Sequence, residues 1–182
     1  MTGSQREQAQ SGLGYSLAFS EQHAEARHIF EQLCLQATVR SDAEAEHRAV
    51  HQIGMVERMA GDWRAAQTCF EQERRLIESL GEPDLAVAVN AYELGLVALH
   101  LGEMTSARRW LDLSLERARR TADRTAVGCA WRALGDWHRQ RGDSDGAQEC
   151  WTAARAAFER AGDAKAGREM VRRLELKGES VD

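Results

Sequence analysis

WRALGDWHRQRGDSDGAQECW, residues 131–151, holds the spacing that decides the fold. Gly142-Asp143 follows Leu134-Gly135 by seven residues glycine to glycine, Ala147 lies twelve beyond Gly135, and Trp151 four beyond Ala147. Moving outward, the same order recurs at Leu13-Gly14, Ile53-Gly54 and Leu94-Gly95, so that successive copies start 40, 41 and 40 residues apart. An alanine stands twelve residues after each glycine (Ala26, Ala66, Ala107, Ala147) and a large apolar residue four further on (Phe30, Phe70, Leu111, Trp151). Three of the four copies also carry the second glycine, as Gly61, Gly102 and Gly142. A register kept at that period marks an array of one structural unit.

Each position has a physical reason. A mid-helix glycine costs about 1 kcal/mol against alanine, so the first glycine makes sense as a notch where a neighbouring helix approaches closely. The second glycine is followed by Asp62, Glu103 or Asp143. That order ends one helix on a permissive backbone and begins the next with an acidic residue, which suits a helix N-terminus. The alanine and the bulky residue four later share one face of the second helix and fill the space against the first. Each copy therefore reads as helix, tight turn, helix.

Composition agrees. One proline in 182 residues leaves helices uninterrupted, and Ala, Leu, Glu, Arg and Gln are strong helix formers. A chain of this length buries enough surface to fold without staples. Cys34, Cys69, Cys129 and Cys150 lie far apart with no C-x-x-C pair, and read as reduced thiols in a cytoplasmic protein. MTGSQREQAQ at the start lacks the basic and apolar regions of a secretory signal. The net charge of −5 and pI near 5.7 argue against a nucleic-acid surface. Asn90, Glu93 and His100 interrupt the longest apolar run, Leu85 to Leu101, which reads as a buried helix rather than a membrane span.

The pattern resembles the tetratricopeptide repeat family, most specifically at Trp131, Leu134-Gly135, Gly142-Asp143, Ala147 and Trp151. Four copies cover roughly 5–161, the first being weakest because Glu21-Gln22 replaces the Gly-Asp turn. The period exceeds the family's usual length of about 34, and the proline that often closes a repeat is absent. Longer helices, as in kinesin light chains and the sensory repeats of large bacterial transcription activators, account for the longer period. A HEAT-like array shares this period, but the order L-G, G-D, A-x-x-x-aromatic favours the tetratricopeptide reading. The expected fold is all-α, a right-handed superhelical solenoid of four helix-turn-helix repeats closed by a capping helix. It forms a single domain over 1–182, with repeats at about 4–37, 42–79, 84–120 and 123–160 and the cap at 163–177. In that cap Ala166, Met170, Val171 and Leu174 form a narrow apolar stripe.

The resemblance implies that the first helix of each pair lines a ligand groove. By the repeat register those faces carry Tyr15 and Phe19; Arg48, His51, Gln52, Met55, Arg58 and Met59; Val89, Tyr92, Glu93, Leu96, Leu99 and His100; and Cys129, Arg132, Asp136, Arg139 and Gln140. An apolar floor with adaptable Met beside Tyr suits a protein or peptide with apolar anchors, and the excess of arginine suits acidic residues on it. Two plainer readings stand beside this: the stripe is ordinary core, or it is buried by a homodimer. Asp136 also reads as pairing with Arg132 and Arg139 along its own helix. The Lys and Asn of the family's chaperone-tail clamp are missing: Ser11, His51, Tyr92 and Arg132 stand in place of the first, and Tyr15, Met55, Leu96 and Asp136 in place of the second.

His47 and His51 have metal-ligand spacing on a helix but show no third ligand in the sequence, so no metal and no cofactor are expected. No phosphate-binding loop or nucleophile elbow occurs, and catalysis is not expected. The tryptophans at 63, 110, 131, 137 and 151 read as packing residues, with Trp137 the more exposed. The functional expectation is a protein- or peptide-binding adaptor. The alternatives are a peptide-sensing regulatory module and a structural homo-oligomer.

Overall fold

The computed structural model describes residues 3–175, and among these all regular structure is helical. α1 (Gly3–Phe19), α2 (His23–Val39), α3 (Ala43–Ala60) and α4 (Trp63–Ser79) make one compact unit that ends at Pro83. A second begins at Asp84, with α5 (Asp84–His100), α6 (Met104–Arg119), α7 (Arg124–Gln140), α8 (Ser144–Ala161) and α9 (Ala164–Glu175). The four helix pairs and the closing helix of the all-α expectation are thus present. Positions 176 and 177, which the expected cap included, lie outside the described residues.

The notches are packing contacts. A β-carbon at Gly14 would lie 2.7 Å from Phe30 Cζ, at Gly54 2.6 Å from Phe70 Cε1, and at Gly95 2.5 Å from Leu111 Cδ2; at Gly135 it would strike the Trp151 indole. Each glycine therefore receives the large residue sixteen positions later, four beyond the alanine. The sequence period did not reveal one further notch, Gly128, which receives Phe158 in the same way.

The turns obey the same economy. Gly142 takes a left-handed φ of 76° after α7, and Asp143 caps α8 by accepting the Gly146 N–H at 2.9 Å. Asp42, Asp62, Asp123 and Asp163 cap their helices in the same manner. In the first pair Glu21 takes the left-handed position at φ 63°, and Gln22 makes no side-chain cap bond. The chain keeps the turn there without the residues that favour it.

Each unit has its own core. In the first, Ala18, Ala26, Phe30 and Val56 form a buried cluster, with Met59 packed against it. In the second, Leu99, Leu111, Leu134 and Trp137 lie in one cluster, and Trp151, Phe158 and Met170 in another. Burying each such large apolar side chain stabilises by about 2–3 kcal/mol.

Two expectations, for Trp137 and Val171, are corrected. Trp137 is only 7% exposed, and its Nε1–H donates to the Met104 carbonyl at 2.8 Å, since a buried indole N–H needs a partner. Leu13 is exposed, whereas its counterparts Leu94 and Leu134 are buried. Val171 also faces outward, leaving Ala166, Met170 and Leu174 to seal the cap.

Candidate ligand-binding faces

In the first unit, α1, α2 and α3 surround an open cleft of about 620 Å3. Phe30 forms part of its wall, with Tyr15 set edge-on to that ring at 5.6 Å. The Tyr15 hydroxyl is hydrogen-bonded to Gln52 across the cleft, which lowers the phenol's pKa, but burial outweighs this and leaves it above its usual value. Gly12 adds no side chain to the lining and has open space beside it. Arg40 pairs with Glu7 at 2.5 Å and Arg48 with Glu44 at 3.3 Å, so both cationic lining residues carry exchangeable surface partners. A segment with one apolar side chain and a few hydrogen-bonding groups fits this lining.

The other expected residues of this unit do not share the cleft lining. Phe19 is 77% exposed at the end of α1. His51 turns toward α4, with Nδ1 3.1 Å from Glu73 Oε1, while His47 Nε2 lies 3.2 Å from the same oxygen. Glu73 is 1% exposed, and a carboxylate buried that deeply needs such donors nearby. The pairing accounts for the histidine spacing that suggested a metal. Among the described residues no group of three His, Cys, Asp or Glu is arranged to hold one. Met55 Sδ receives a hydrogen bond from Arg58 at 3.4 Å, and Met59 belongs to the packing around Phe30.

In the second unit the expected residues gather around Arg132. Its guanidinium donates to the Tyr92 hydroxyl at 2.7 Å and to Glu169 of α9 at 3.2 Å. Asp136 accepts from Trp151 Nε1 at 3.2 Å and pairs with Arg173 of α9, which also holds Glu169 at 2.9 Å. The expectation that Asp136 pairs along its own helix is therefore corrected: its partner comes from the closing helix. Burial raises the Asp136 carboxyl above its ordinary range, opposed first by Arg173 and then by the indole bond. Burial likewise pushes the Tyr92 phenol up to about 12, against the lowering effect of Arg132. Glu169 and Arg173 were missed because the repeat register stops before α9, although their i,i+4 spacing is visible.

Leu99 is corrected from groove to core at 6% exposure, and Glu93 is also buried. Leu96 packs on the edge of that core beside Tyr92. His100 is exposed, and Arg139 lies over the Trp151 ring at 5.9 Å. The expected positive character of this face is offset by Glu169, which joins Asp136 among the arginines.

The tetratricopeptide repeat family profile matches residues 85–161, which run from α5 through α8. No curated protein matches the sequence. Among solved structures, a putative kinesin light chain from Podosopora anserina with nearly identical TPR-like repeats is similar at 13% identity and a TM-score of 0.69, covering 96% of each chain. BtubC (BKLC) from P. vanneervenii is similar at 16% identity and a TM-score of 0.64, with 96% of this chain and 91% of that one covered. A Rap protein complexed with competence and sporulation factor is similar at 16% identity and a TM-score of 0.65, over 93% of this chain but 51% of that chain. Residues 85–161 thus match the tetratricopeptide repeat family, and the chain has the fold of tetratricopeptide-like helix pairs.

Proposed function

We propose that this protein is a cytoplasmic protein- or peptide-binding adaptor without catalytic activity, and that the cleft of its first unit seats an apolar anchor of the partner. The observation that carries the reading is the cleft of about 620 Å3, where the part-exposed Tyr15 ring, backed by the buried Phe30, stands beside the polar groups of Gln52 and Ser11. Aromatic surface with a few convergent polar groups is the usual composition of such a site. Acidic residues flanking the anchor would exchange with Glu7 and Glu44 for Arg40 and Arg48. The similarity to a Rap protein solved with a bound factor supports a ligand-binding use of this fold.

The test is capture of partners from lysate by the wild type, by Tyr15→Ala/Gln52→Ala, and by Tyr92→Ala/Leu96→Ala. The first variant changes cleft residues, Tyr15 being 43% exposed, and should keep its helical circular dichroism while losing the partner. The second removes side chains that pack on the core of the other unit and should lower stability. Unchanged capture by the Tyr15/Gln52 variant would refute the cleft.

A second reading, self-association, is favoured by Leu13, Phe19, Leu35 and Val39, which α1 and α2 leave exposed. Sedimentation across concentration separates it from the first, since only self-association makes the mass depend on concentration.

A further inference from the structure

At the turn that joins α7 to α8, a recess of about 250 Å3 is lined by Arg108, Trp137, His138, Arg141 and Asp143. Its arginines come from different elements, Arg108 from α6 and Arg141 from the residue that ends α7. Both lie against one indole, with guanidinium carbons 5.0 and 4.7 Å from the Trp137 ring centre. That indole is fixed by its bond to the Met104 carbonyl and meets the His138 ring edge-on at 4.9 Å. A guanidinium held against an aromatic ring keeps N–H groups for a ligand while losing little freedom on binding it.

The nearby carboxylates are already engaged. Asp143 accepts the Gly146 N–H through Oδ1 at 2.9 Å and contacts His138 Nδ1 through Oδ2 at 2.7 Å. Asp112 takes Arg108 Nε at 2.7 Å, which leaves the terminal nitrogens of that guanidinium. Arg141 makes no close ion pair among the described residues, although its charge acts on the Asp143 carboxylate in the same recess.

We propose that this recess binds an oxyanion, a phosphoryl or carboxylate group of a ligand, held by the guanidiniums of Arg108 and Arg141 with His138 beside it. Two cations fixed by one aromatic ring at a turn are more than packing of Trp137 requires, because the Met104 bond and the core already hold that ring. The site is independent of the Tyr15 cleft, and its test does not depend on the adaptor reading.

Inorganic phosphate titrated into the full chain, followed at the Trp137 indole N–H by 1H–15N NMR, tests it; Trp137→Phe assigns the resonance. The expected result is a saturable shift that sodium chloride at equal ionic strength does not reproduce. Arg108→Gln/Arg141→Gln should weaken it at least about tenfold, as loss of charge-assisted bonds requires. Arg108→Lys/Arg141→Lys should retain part of the affinity, which separates lost charge from disturbed packing. Saturation by acetate as well as phosphate assigns a carboxylate-tolerant site, and saturation by phosphate alone assigns a phosphoryl site. A shift that only follows ionic strength, or equal phosphate affinity in the wild type and the Gln variant, overturns the proposal.

Discussion

Gly54 shows how much one missing carbon contributes. Phe70 occupies the place where a β-carbon would stand, 2.6 Å from its Cε1. Gly54→Ala therefore overpacks the first unit, and urea denaturation should show a loss of about 1–3 kcal/mol, despite alanine's better helix propensity. Tyr92 gives a second test at this scale. Its phenol, pushed up to about 12 by burial, keeps its proton after an unfolded chain would lose one near about 10. A raised acid pKa means that the folded state binds more protons in that window, so stability from this group is present below about pH 10 and declines up to about pH 12. Ultraviolet titration should show the late phenolate in the wild type and lose it in Tyr92→Phe.

Among the elements, the α1–α2 turn is the imperfect copy. Glu21 holds the left-handed conformation that Gly142 holds later, and Gln22 fails to cap α2 where Asp143 caps α8. Glu21→Gly should stabilise by about 0.4–1 kcal/mol, and Gln22→Asp by about 1 kcal/mol; thermal melts of the single and double variants check both. The same comparison explains what the sequence disclosed. Helix pairs, notches and caps repeat, so their spacing exposes them. The placement of Leu99 in the core and of Arg132 against Glu169 depends on helix rotation and on α9, and a period of 40 to 41 residues records neither. His51 misled for a related reason: its partner Glu73 sits on the next helix, 22 positions away.

At the scale of the whole molecule, each unit encloses its own apolar clusters. A fragment starting at Asp84 should thus keep its helical circular dichroism and melt cooperatively, as a stack of repeats with its own closing helix would; a non-cooperative melt would show that its core is insufficient. The candidate site was partly legible at this scale. Tyr15 was placed by the repeat register and does line the cleft, whereas Gln8, Arg40 and Ala45 enter through the separation of α1 from α3, which has no signature in the chain.

The central claim is that the cleft beside Tyr15 receives another protein. Replacing Tyr15 with a photo-crosslinking phenylalanine derivative, and separately doing so at exposed Glu71 on α4, tests it most directly in living cells. The account predicts a crosslinked partner from position 15 that is absent from position 71 and is lost when Gln52→Ala is added. Equal crosslinking from both positions, or products containing only a second copy of this chain, would contradict it.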